Sequence, residues 1–158
     1  MSLDTENRFK SDFGTNIITA YSYPAVVYTH ENLSFRGSPL GINSFTGGPV
    51  IIVNVQLFEE DDFGTDTSSR EYEEEGEFII QFYTVAGAGS SEAGLFYDRL
   101  KARYRPNVFK LQPGVGESGC INTGRISRRP YAIEENAHAR NKWIRYDFII
   151  PYRKYYNV

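Results

Sequence analysis

Two stretches of strict alternation commit this chain to a β-sheet. In Val50–Glu59, the residues Ile51, Val53, Val55 and Leu57 share one side of an extended backbone, with Asn54 and Gln56 on the other. In Glu77–Val85, Phe78, Ile80 and Phe82 alternate with Gln81 and Tyr83. Successive side chains of a strand point to opposite faces, so each stretch has one face to bury and one that can meet water. Residues 60–76 between them are mostly acidic residues, Ser, Thr and Gly, which predicts a long acidic hairpin loop joining an antiparallel pair. Trp143–Ile150 reads as a last strand, with Ile144, Tyr146, Phe148 and Ile150 opposed to Arg145 and Asp147, and Pro151 suits its edge or end.

Two helices complete the pattern. Phe9, Phe13, Ile17 and Tyr21 recur every fourth residue and predict an amphipathic helix over 5–22, which Pro24 ends. A second helix starts at a Ser90 or Ser91 cap and runs to about Tyr104, burying Ala93, Phe96, Tyr97, Leu100 and Tyr104. Glu92 in its first turn and Arg99, Lys101 and Arg103 further on match the helix dipole. Short strands are expected at Ala25–Tyr28, Asn107–Gln112 and Cys120–Ile126, a Gly- and Pro-rich loop at 33–49, and an irregular insertion over 112–141. The order lacks regular βαβ alternation. It predicts an α+β fold of one domain, residues 1–158, in which a central antiparallel or mixed sheet carries both helices on one face.

Composition sets the outer bounds. With 158 residues, 41% hydrophobic and 15% aromatic, the chain can fill one core. The longest apolar runs, Ala25–Tyr28 and Val50–Val53, are four residues, against the ~18 of a membrane helix, and no leader of the secretory kind is expected at the start. Cys120 is the single cysteine, and His30 and His138 are far apart, so neither a disulfide framework nor a Cys- or His-rich metal site is expected.

Charge is divided sharply along the chain. Residues 1–58 carry three basic and four acidic side chains; residues 59–97 carry one and eleven; residues 98–158 carry thirteen and five. Such separation points either to two solvated faces or to complementarity between copies of the protein or toward an anion.

Motifs for catalysis are missing or misplaced. Gly87-Ala88-Gly89 between a strand and a helix imitates a dinucleotide turn, but Glu92 stands where the third glycine belongs and would repel a pyrophosphate. Gly116-Glu117-Ser118-Gly119 brings its second glycine one residue early for a nucleophile elbow. The acidic stretch lacks a Ca²⁺-loop register. No enzyme activity, cofactor or metal is therefore expected. Arg125, Arg128, Arg129, Arg140, Lys142 and Arg145, interleaved with Tyr131 and Trp143, form a basic segment without a nucleic-acid recognition motif, which suits a local contact surface.

The succession of elements resembles the tail terminator (tail completion) proteins of long-tailed bacteriophages. The resemblance is carried by the helix leading through Pro24-Ala25-Val26-Val27-Tyr28 into Glu31-Asn32, and by the strands Val50–Leu57 and Phe78–Val85. Gly87-Ala88-Gly89, the helix Glu92–Tyr104 with Tyr97-Asp98-Arg99-Leu100, and Trp143 with Phe148-Ile149-Ile150-Pro151-Tyr152 follow. It spans residues 7–105 and 143–152 as a pattern of elements; the acidic loop 60–76 and the insertion 112–141 depart from it. The resemblance implies a structural virion protein at the tail–neck junction, assembled in the host cytoplasm. Such a protein forms a ring, usually hexameric, that caps the tail tube and stops its polymerisation. Its expected partners are itself, the tail tube protein and the neck or head connector, with DNA passing through unbound. Another head–tail joining protein, a nucleotide-using enzyme and a nucleic-acid-binding module are the alternatives.

Three surfaces follow as expectations. Phe58, Tyr83 and Ile149 lie on the sheet face away from the helices and would be covered by a ring neighbour. Glu73, Glu74 and Glu75 in the acidic loop would orient docking. The basic segment would receive the acidic segment of a neighbour or of a partner ring.

Overall fold

The computed structural model describes residues 3–23, 26–28, 50–63, 71–85, 91–114, 119–132 and 143–157. The elements, in chain order, are α1 (Leu3–Phe13), a π-helical turn (Gly14–Thr19), β1 (Val26–Tyr28), β2 (Val50–Phe63), β3 (Glu71–Val85), α2 (Ser91–Arg103), β4 (Lys110–Leu111), β5 (Cys120–Thr123), β6 (Ser127–Ala132) and β7 (Trp143–Asn157). The fold is α+β. Seven strands form one sheet in the order β1-β2-β3-β7-β5-β4, with β6 also on β7; only β1 and β2 run parallel.

The alternation places one apolar face under the helices. Ile51 and Val53 of β2 pair with Phe82 and Ile80 of β3, which pair in turn with Tyr146 and Phe148 of β7. Phe9 of α1 stacks on Phe78 at 3.8 Å between ring centroids, and Phe78 stacks on Tyr152 at 4.4 Å. Phe96 of α2 stacks on Phe82 at 4.5 Å and meets Phe13 edge-on. All of these rings are buried, so each contributes area removed from water as well as ring geometry. Both helices thus lie on the same face, as their stripes predict.

Three expectations change. The acidic stretch 60–76 is not a loop at its ends: β2 extends to Phe63 and β3 begins at Glu71, with Glu59–Phe63 in antiparallel register with Glu75–Glu71. The register shifts between Leu57 and Glu59, which places Phe58 at a β-bulge. The segment 112–141 is less irregular than its composition suggests, because it supplies β5 and β6, both antiparallel to β7. β7 runs straight through Pro151 to Asn157. The proline is tolerated because it faces the interruption between β6, whose pairing ends at Ile149, and β5, whose pairing begins at Tyr152. Its carbonyl accepts from Gly124 N–H at 2.8 Å, so its missing N–H points into that same gap. Gly124 is needed for the approach, since a Cβ there would lie 3.0 Å from the Pro151 ring.

The N-terminal stripe also breaks once. Phe9, Phe13 and Ile17 are buried, but Tyr21 is 44% exposed. The π-helical turn is wider than an α-turn, so a four-residue step after Ile17 leaves the buried face. Tyr23 takes the place instead, edge-on to Phe82 and Phe96. The chain gets there through a Schellman end: Tyr23 N–H donates to Ile18 O at 2.9 Å, and Ser22 N–H donates to Thr19 O at 3.3 Å. Ser22 holds φ at 56°, the left-handed region where a side chain is strained.

Two stability changes are expected in urea denaturation. Ser22→Gly should raise stability by about 0.5–1 kcal/mol, because relief of the left-handed strain exceeds the extra freedom of the unfolded chain. Phe96→Ala should lower it by about 3–5 kcal/mol, since the ring lies between both helices and two strands.

Candidate functional site

The chemistry that sets this molecule apart is charge carried on strands. Register puts Glu59 opposite Glu75, Glu60 opposite Glu74, and Asp61 opposite Glu73. These are three successive acid–acid pairs, and like charges directly opposite one another destabilise a ladder. On its other side β3 meets Arg153 opposite Glu75 and Lys154 opposite Glu74. Arg153 Nε lies 2.8 Å from Glu75 Oε1 and 3.9 Å from Glu73 Oε1. The acidic segment therefore finds part of its complement inside its own subunit.

Glu74 departs most from its expected role. It is 1% exposed and accepts the Thr5 hydroxyl at 2.6 Å, while Lys154 Nζ donates to the same hydroxyl at 3.2 Å. Glu74 holds α1 to the sheet and is not a docking group. Thr5 and Lys154 were not legible as its partners; the one usable signal was alternation, which puts Glu74 on the same face as Phe78. A second polar knot lies further along α1, where Asp12 receives Arg103 and, at 2.9 Å, the Tyr104 hydroxyl.

The basic residues divide between two places. Arg125 and Arg128 border an open groove of about 670 Å³ between α2 and β6, whose other wall carries Tyr97 and Lys101. Lys101 Nζ lies 4.3 Å and the Arg128 guanidinium 5.5 Å from the Tyr97 ring centre, and the Tyr97 hydroxyl donates to Ile126 O at 3.3 Å. Arg129 and Arg145 lie on the opposite sheet face, beside Asp147 in adjacent rows. Arg145 Nε is 2.9 Å from Asp147 Oδ1. The expected single basic surface is thus two, because neighbours in a strand alternate faces. Arg140 and Lys142 lie outside the described residues, as does the Gly87–Gly89 turn.

Of the residues expected on the apolar face away from the helices, Tyr83 and Ile149 are described, and the side chain of Phe58 lies outside the described residues. Tyr83 is fully buried within the subunit and its hydroxyl approaches Gln81 Oε1 at 3.4 Å, so it offers nothing to a neighbour. Burial pushes its phenol pKa up, with Arg145 opposing the shift. Ile149 is half-buried and pairs with Ile79. Desolvation likewise raises the carboxyl pKa of Asp147, against the attraction of Arg145 and Arg129.

Among the described residues, no group of three or more His, Cys, Asp or Glu side chains is placed to hold a metal ion, and no helix is long and apolar enough to cross a membrane. No protein-family model matches the chain, and no curated protein matches it. Among the solved structures that resemble it, one shares 18% identity over 97% of this chain and 94% of the other, with a TM-score of 0.47.

Two measurements test these environments. Glu74→Ala should cost about 1–3 kcal/mol, because a buried hydroxyl loses a charged acceptor, while Glu75→Ala on the exposed ladder should cost about 0–1 kcal/mol. Asp147 carries a raised pKa in the folded state, so the folded state binds the proton more tightly than the unfolded one. Its contribution is therefore fully present below the ordinary carboxylate range and lost as pH rises through the elevated value. The stability of the native protein relative to Asp147→Asn should fall across that interval and then level off, as read from urea midpoints at a series of pH values.

Proposed function

We propose that this chain is a ring-forming tail terminator of a long-tailed bacteriophage. It caps the tail tube, stops its polymerisation and presents the surface on which the head connector docks. The observation that carries the reading is the placement of charge. An acidic strand segment, Glu59–Asp62, lies toward one side of the sheet, and a basic strand, β6 with Arg128 and Arg129, lies toward the other. A subunit with unlike charge on its two sides suits association with further copies of itself. The order of the elements and the two helices packed on one sheet face support the same reading.

The cationic residues also bear on DNA passage. A ring that lets duplex DNA slide through gains nothing from gripping phosphate, and affinity climbs steeply with each phosphate neutralised. Division of the arginines between two faces, with Arg145 committed to Asp147, is consistent with their use in protein contacts.

The test uses the full chain. Light scattering and negative-stain microscopy should find discrete rings, alone or on addition of the cognate tube subunit, and the rings should arrest tube growth. A protein that stays monomeric at high concentration and leaves tube growth unchanged would overturn the reading.

A further inference from the structure

Both charged strands are also edges. β1 covers only Ile51, Ile52 and Val53 of β2, so from Asn54 to Phe63 the side of β2 away from β3 meets no strand among the described residues. β6 pairs with β7 alone, and its outer side likewise meets no described strand. A strand edge presents a row of backbone donors and acceptors that another strand can complete. We propose that copies of this chain associate by pairing the acidic β2 edge, centred on Glu59–Asp62, with the basic β6 edge, Ser127–Ala132, of the next copy.

Charge selects this pairing over the others. β2 against β2 would add a further acidic row to a ladder that already sets Glu59, Glu60 and Asp61 against Glu75, Glu74 and Glu73. β6 against β6 would face Arg128 and Arg129 with themselves, and both arginines are exposed. Of these pairings, β2 against β6 brings cations to the acidic row. The two edges lie on opposite sides of one sheet, so the contact is head-to-tail: each copy uses one edge to give and the other to receive. Two like edges would close a dimer and stop, whereas unlike edges propagate until rotation closes a ring. Pro130 fits an edge, where a missing N–H removes one rung and not the ladder. The closed ring rests on the function proposed above; the edge pairing itself does not.

Two charge-reversal variants decide the matter. Glu59→Lys/Asp61→Lys replaces two of the four acids of the β2 edge, so the charge of Glu59–Asp62 falls to zero, and it turns two like-charge register pairs with Glu75 and Glu73 into opposite-charge pairs, so the subunit should keep its thermal stability. Arg128→Glu/Arg129→Glu makes both edges acidic. Each variant alone should associate ~100-fold or more weakly than the native chain, since the first loses the attraction between the two edges and the second sets acids against acids across the contact. Mixed in equal amounts, the two should co-assemble into alternating oligomers of the native size. Hydrogen exchange should show amides of 54–63 and 127–132 becoming protected on assembly. Variants that still self-assemble like the native protein, or a native assembly that leaves both segments unprotected, would overturn the edge pairing and leave the terminator reading standing. A native chain that remains monomeric with and without tube subunit would overturn both. If either variant does not fold, the other, together with the exchange measurement, carries the test.

Discussion

The full-length pairing of β3 on both sides is the constraint from which the rest follows. Every residue from Glu71 to Val85 has a partner on β7, and nearly all have one on β2. A single-residue slip would turn Phe78, Ile80 and Phe82 away from the helices and bring Glu77 and Gln81 under them. The stacking of Phe9 on Phe78 and of Phe96 on Phe82 anchors that register from above, because each ring pair closes only if the even-numbered residues face the helices. The β3 register thereby fixes α1, α2 and the core together.

The same period carries past the core and there meets a different chemistry. Where β3 runs out of apolar residues it continues as Glu73, Glu74 and Glu75, still alternating faces. Glu74, on the helix side, is buried and satisfied by Thr5 beside Lys154. Glu73 and Glu75, on the other side, take Arg153. β7 therefore balances β3, whereas Glu59, Glu60 and Asp61 of β2 sit opposite acids in the β3 register and the other side of that segment meets no strand among the described residues. Surface ion pairs contribute little singly, ~0–1 kcal/mol, so the ladder is held mainly by its backbone bonds and by continuity with the packed core.

Much of this architecture was legible because burial and period coincide. The cores of β2, β3, β7 and α2 follow directly from their alternating or helical stripes. What was not legible fails for identifiable reasons. The strand ends at 60–63 and 71–76 are rich in Glu and Asp, which have low strand propensity, and their conformation is imposed by pairing, of 71–76 with β7 and of 60–63 with β3, and not by local preference. β6 is Ser-Arg-Arg-Pro-Tyr-Ala, with no apolar alternation to mark it, and it exists because β7 offers it an edge. Tyr21 left its stripe because a π-helical turn changes the angular step, a feature invisible in spacing. Of the residues expected at surfaces, Arg125, Arg128 and Arg129 are exposed and Ile149 is half-buried. Tyr83 and Glu74 are buried: parity tells which face a residue takes but not whether chain elsewhere covers that face.

α1 links the acidic arm to the body of the subunit. Its N-terminal Thr5 contacts Glu74 in the arm, and about two turns later Asp12 contacts Arg103 and Tyr104 at the end of α2. Between these knots Phe9 packs on Phe78, at the point where β3 passes from apolar to acidic. The arm is thus not an independent hairpin: one buried hydrogen-bonded group ties it to the helix, and the helix is tied to the core by rings. Buried polar contacts of this kind fix position more than they add stability, because their desolvation offsets much of their attraction. Load applied to the acidic edge would pass through Glu74 and Thr5 into α1, and through Asp12 and Arg103 into α2, whose Tyr97 and Lys101 border the groove beside β6. The two oppositely charged sides of the subunit are in this way joined by one continuous chain of contacts across the helix layer, as well as by the sheet beneath it.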